Sequence, residues 1–150
     1  MSGHAHAQES AGDLLMLAAR ALRRGASAAL EEYDVTPAQA RALRTIAHAA
    51  HDEDGGLRLS ALADRLHVVP RSVTEVVDAL ETRGLVQRES DPTDRRATIV
   101  ALTDEGRRIH DDIARARTRE FDRLVGRLPA RDRADLARIL GSLVELADSD

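Results

Sequence analysis

Apolar residues along this chain recur mostly at spacings of three and four, the period of a helix with one buried stripe. Leu15, Ala18, Leu22, Ala26, Ala29 and Tyr33 form the first stripe, which predicts a helix from about Asp13 to Tyr33. Asp34-Val35-Thr36-Pro37 stops it. Thr36-Pro37-Ala38-Gln39 has the form of a capping box with proline at the first helical position, and predicts a second helix through about Ala50. His51 to Gly56 reads as an acidic loop ending in glycine. Leu57-Arg58-Leu59 is short and extended, and Ser60 is placed to cap a third helix, Ala61 to Leu66. After the tight connection His67-Val68-Val69, Pro70 opens a fourth helix. In it Val73, Val76, Val77 and Leu80 form an i, i+3, i+4, i+7 stripe, and Gly84 sits where glycine ends a helix.

The period then changes. Leu85 to Glu89 and Ala97 to Leu102 read as two short strands, the second alternating Thr98, Val100 and Leu102 with Ala97, Ile99 and Ala101. Between them lies the polar turn Ser90-Asp91-Pro92-Thr93-Asp94-Arg95-Arg96. Thr103 is placed to cap a long fifth helix to about Leu128, with Ile109, Ile113, Phe121, Leu124 and Leu128 expected inward. Pro129 breaks it. A sixth helix, about Asp132 to Ala147, carries Leu136, Ile139, Leu140, Leu143 and Leu146.

These elements define a mainly α fold with a small β-hairpin wing. Residues 35–102 form a winged helix-turn-helix lobe, 11–34 and 103–150 a helical dimerisation lobe, and 1–10 a flexible tail. The first, fifth and sixth helices carry more apolar surface than a lobe of this size can cover, so a homodimer is expected. With 43% apolar and 32% charged residues the chain can build a core. No apolar run reaches the roughly 18–20 residues of a membrane span. With no secretory signal visible at the N-terminus, the expected location is the cytoplasm. Cysteine is absent, which removes disulfides, thiolate metal sites and thiol redox chemistry. Tyr33 and Phe121 are the only aromatic residues, too few to stack single-stranded bases.

The net charge of −4 runs against nucleic-acid binding, but distribution decides that question rather than the total. Every basic side chain apart from histidine is arginine, whose planar fork suits phosphate and guanine edges. A helix-turn-helix sets the N-terminal residues of its second helix at base edges in the major groove. With the valine stripe inward, Arg71, Ser72, Thr74, Glu75 and Asp78 face outward. Ser60 and Pro70, at the two helix starts, are counted among the DNA-binding candidates. A helix N-terminus also favours phosphate. At the wing tip, Arg95 and Arg96 have no core role and fit a narrow minor groove, where Asp94 could hold one guanidinium. A solvated helix face and a solvated turn are the plain alternatives for these two stretches.

The text from Leu59-Ser60-Ala61-Leu62-Ala63 to Val73-Thr74 resembles the MarR (multiple antibiotic resistance regulator) family. So do Val76-Val77-Asp78-Ala79-Leu80-Glu81 and Arg83-Gly84-Leu85-Val86-Gln87-Arg88. The most specific matches are Asp91-Pro92-Thr93-Asp94-Arg95-Arg96-Ala97 and Leu102-Thr103-Asp104-Glu105-Gly106. The resemblance implies a triangular homodimer joined by the first, fifth and sixth helices. It implies a transcription regulator, usually a repressor, that binds double-stranded DNA and is released by a small aromatic or phenolic acid. Tyr33, Arg44 and His48 are its candidate effector lining, between the dimer helices and the DNA-binding lobe. Two departures bear on mechanism. Val69 stands where many members place serine or threonine, so Ser72 is expected to take over local capping. The absence of cysteine and tryptophan excludes the peroxide-sensing branch and argues against the urate-sensing one.

No catalytic constellation or phosphate-binding glycine loop is visible, so no enzyme and no cofactor is expected. His48 and His51 share a helical face, but without a third ligand they carry no metal assignment. His110 is a helix-surface residue. A winged-helix module that binds a protein partner is the alternative to DNA binding. The arginines at 71, 95 and 96 discriminate against it.

Overall fold

Local caps dictate where the helices begin. The computed structural model describes residues 10–52 and 56–147, with His51 and Asp52 described by backbone alone. Helix α1 (Ala11–Glu32) starts at a reciprocal cap: the Ser10 N–H donates to Asp13 Oδ2, and the Asp13 N–H donates to Ser10 Oγ. Helix α2 (Pro37–Asp52) opens on the expected capping box. The Thr36 N–H donates to Gln39 Oε1 at 3.0 Å and the Gln39 N–H to Thr36 Oγ1 at 3.2 Å. Asp34, in the left-handed region at φ 51°, turns the chain between the two helices.

Strand β1 (Leu57–Arg58) leads directly into α3 (Leu59–Leu66), and α4 (Pro70–Thr82) follows. Here the structure corrects the expectation for Ser60. Arg58, not Ser60, is the N-cap of α3, no side chain caps it, and Ser60 lies inside the first turn. The reason is tertiary: β1 pairs with a strand far along the chain, and that pairing sets where the helix can start. Strands β2 (Val86–Ser90) and β3 (Thr98–Leu102) form the wing hairpin. The sheet has three strands rather than two, in the order β1-β3-β2 and antiparallel throughout, with Leu57 opposite Val100 and Val86 opposite Leu102. Helices α5 (Asp104–Val125) and α6 (Ala130–Ala147) complete the chain.

Two compact units result, Ser27–Arg115 and Met1–Ala26 with Ala116–Asp150. The first holds the continuous core, including Leu43, Ile46, Leu57, Leu62, Val73, Val77, Leu80, Leu85, Val86, Val100, Ile109 and Ile113. Val76 packs against this core while partly exposed, so the stripe of α4 faces inward as its spacing requires. In the second unit the inward expectation for α5 fails: Phe121 and Leu128 are exposed, and α5 ends at Val125. Helix α6 buries no residue at all. The loop at 53–55 and the tail at 1–9 lie outside the described residues.

The motif Leu-Thr-x-x-Gly at 102–106 has a concrete geometry. Thr103 Oγ1 accepts the Gly106 N–H at 3.0 Å, capping α5 as expected, and donates to the Gly84 carbonyl at 2.6 Å. The Thr103 N–H donates to the Leu85 carbonyl. Gly84 (φ 69°) ends α4, and the Leu85 N–H closes back on Leu80. Three segments, the end of α4, the start of the wing and the start of α5, therefore meet at one threonine and one glycine.

Candidate nucleic-acid interface

The start of α4 is built for exposure. Val69 is its N-cap in an extended conformation, and Pro70 at the first helical position removes one N–H that would otherwise lack a partner. No side chain of the N-cap closes the turn, and no cap from Ser72 replaces it; the Ser72 N–H bonds the Val69 carbonyl. Arg71 is almost fully exposed, at 91%. Its pair with Glu75 at 3.3 Å lies in solvent, where such pairs contribute little, so the guanidinium is not held tightly. Ser72 and Thr74 are half-buried, and the Thr74 hydroxyl donates back to the Pro70 carbonyl. Ser60 is exposed on α3.

The wing tip is organised by a residue to which the sequence pattern assigned no role. Asp91 is buried, and its Oδ1 accepts the Thr93 N–H and hydroxyl, both at 2.7 Å, and the Asp94 N–H at 3.3 Å. Its Oδ2 pairs with the Arg58 guanidinium at 2.6 Å. Those bonds to Thr93, backed by Arg58, hold the carboxyl at about 2, against an ordinary 3.8. Asp94 does not clamp a guanidinium; its Oδ1 accepts the Arg96 N–H at 3.0 Å, which shapes the turn. Arg95 and Arg96 project from that turn, both exposed, and no ion pair holds either among the described residues. The missed signal was the Asp-Pro-Thr-Asp run, a side-chain-capped turn.

Arg88 joins wing to helix. From β2 it donates to Asp78 at 2.6 Å and to Glu81, so one guanidinium pairs with both carboxylates of the distal half of α4 and offsets one of their two charges. Arg83, at the end of α4, donates to the carbonyls of Tyr33 and Asp34 and thereby caps the end of α1.

The three effector candidates differ in exposure and in what engages them. The Tyr33 hydroxyl is engaged by Asp112, and partial desolvation followed by that bond pushes its ionisation up. Arg44 is half-buried and His48 is exposed. The His51 side chain lies outside the described residues, and no group of metal ligands occurs among those described.

Because the Asp91 carboxyl ionises more readily in the folded chain than in the unfolded one, its stabilisation is complete above pH about 4 and is lost as pH falls through about 2. Asp91→Asn should therefore lower stability at neutral pH, and its deficit against wild type should shrink between pH 4 and 2. Urea unfolding of both proteins across that range checks this, and a pH-independent deficit would contradict it.

The profile of the MarR family matches residues 35–98. The HTH-type transcriptional repressor MdtR of Bacillus subtilis (strain 168) is 31% identical over 121 residues, covering 81% of this chain and 75% of that protein. The chain belongs to the MarR family. Within the MarR fold it is similar to RV1404 from Mycobacterium tuberculosis, at 29% identity and a TM-score of 0.79, covering 93% of this chain and 95% of that one. A MepR mutant of S. aureus bound to an oligodeoxyribonucleotide shares the fold at 24% identity and a TM-score of 0.69, over 91% of this chain and 99% of that one. MarR-family members are transcriptional regulators and not enzymes. No described helix is long and apolar enough to cross a membrane.

Proposed function

We propose that this MarR-family regulator binds double-stranded DNA sequence-specifically as a homodimer on an inverted-repeat operator, and acts as a repressor. The observation that carries the reading is the wing tip. Two exposed arginines are presented on a turn that is rigidified from behind by the buried Asp91 and by Arg58. A turn that merely needed solvation would not require that anchoring. The exposed start of α4 with Arg71 belongs to the same unit. Support for the dimer comes from the other unit, where Leu15, Met16, Leu17, Phe121, Ile139, Leu143, Val144 and Leu146 are all exposed. Two recognition helices related by a two-fold axis need half-sites roughly 10 base pairs apart, centre to centre. Release by a small aromatic or phenolic acid, with Tyr33, Arg44 and His48 as its lining, completes the proposal.

The wing and the recognition helix should fail differently. Arg96→Ala should weaken binding to all duplexes by a similar factor and reduce the slope of log affinity against log salt by about one for each phosphate it no longer neutralises. Arg71→Ala should cost about 1–3 kcal/mol on the operator and much less on scrambled DNA. Titrations of both variants on both duplexes at several salt concentrations test this. An unchanged affinity and salt slope for Arg96→Ala would remove the wing from the interface and favour a protein-binding module.

A further inference from the structure

Two large apolar residues of the Ser27–Arg115 unit are exposed outside its core. All other exposed large apolar side chains among the described residues lie in the companion unit, on α1, α6, the second half of α5 and Leu128. Val69 nevertheless retains 64% exposure and its neighbour Val68 38%. Their backbone is held firmly. His67, at φ 54° and ψ 45°, ends α3, and the Val68 N–H bonds the Ala63 carbonyl at 3.2 Å. The Val69 carbonyl accepts the N–H groups of Ser72 at 3.0 Å and Val73 at 3.4 Å. Valine is stiff at its first side-chain torsion, so its isopropyl group points in a defined direction.

Neither ordinary structural use accounts for this residue. Val69 does not fill the core. As N-cap of α4 it also lacks the side-chain acceptor that serine, threonine, aspartate or asparagine would offer to the first turn. The surroundings are polar and charged: Arg65, His67 and Arg71 are exposed on the same short stretch, with the carboxylates of Asp64 and Glu75. An apolar knob framed by arginines matches a surface that is anionic at its rim and carries an apolar group in its floor. In the DNA major groove that group is the C5 methyl of thymine.

We propose that Val69 is a specificity-determining residue that packs on a thymine methyl in each half-site, beside the base contacted by Arg71. This rests on the reading that α4 enters the major groove. A serine here would cap the first turn of α4; the valine gives up that cap and presents an apolar group instead.

The test begins by selecting tight-binding duplexes from a random pool with the full chain. Each half-site thymine is then replaced singly by deoxyuridine, which removes the methyl and keeps the hydrogen-bonding edge. One position per half-site should weaken wild-type binding by about fourfold, the value of one buried methyl-sized group. Val69→Ala should bind the thymine duplex correspondingly less well and should no longer distinguish thymine from deoxyuridine there. The exposed position makes this variant safe for folding, and circular dichroism verifies it. If no sequence is selected, the DNA-binding reading fails and this proposal with it. If a sequence is selected but deoxyuridine never weakens wild-type binding, or Val69→Ala keeps the full thymine preference, DNA binding stands and the Val69 assignment is overturned.

Discussion

Replacing Gly106 by alanine is expected to destabilise the protein by about 3 kcal/mol or more, the upper end of the overpacking range. A Cβ at this position would lie 1.8 Å from the Leu85 carbonyl oxygen and 2.8 Å from its carbon. Both atoms are backbone, and that carbonyl already accepts the Thr103 N–H, so it cannot swing aside without breaking the junction of α4, wing and α5. Alanine would gain at most about 1 kcal/mol of helix propensity over glycine, which is too little to offset the clash. For a chain of this size the deficit corresponds to a fall in Tm of roughly 6–12 °C. Gly12→Ala is the matched control, because its Cβ would meet only Ser10 Oγ, at 3.6 Å. Thermal unfolding of the two variants side by side checks the prediction. Equal Tm values would mean that the close approach of α5 to Leu85 is not a constraint.

The second large effect concerns the proposed dimer. Changing Ile139 and Leu143 together to aspartate should convert the protein to a monomer and lower operator affinity by about 10²–10⁴-fold. That factor is what tethering two binding modules typically contributes. Both side chains lie on one face of α6, four residues apart, and are exposed at 48% and 45% in the single chain. Aspartate at half-exposed positions should not unfold the chain, so the loss would report on a partner surface. Sedimentation at micromolar concentration and titration on an inverted repeat measure the two consequences. A double variant that remains dimeric and keeps its affinity would place the interface elsewhere.

Much of this architecture was legible in the residues because the interactions that specify it are local. Thr36 and Gln39 cap each other across three positions, Thr103 accepts the Gly106 N–H across the same spacing, and Gly84 ends its helix through its own φ. The stripe Val73, Val76, Val77 and Leu80 declared which face of α4 turns inward before any partner was known. Arg71, Glu75 and Asp78 are exposed as the same period requires, while Ser72 and Thr74 are half-buried.

What only the tertiary structure decided involves partners distant in sequence. Ser60 has the chemistry of a cap, but pairing of Leu57 with Val100 moved the start of α3 ahead of it. Asp94 was the obvious carboxylate at the wing tip, yet the buried Asp91 holds the turn through Thr93 and Asp94, and only the fold brings Arg58, 33 residues away, from β1 onto its second oxygen. Arg88 likewise finds Asp78 and Glu81 only once the hairpin folds back onto α4. Periodicity assigned Phe121 and Leu128 an inward place on a fifth helix that in fact ends at Val125, and it cannot say whether one chain or two must cover an apolar residue. The single chain leaves both exposed, because a hydrophobic stripe specifies burial without naming its partner.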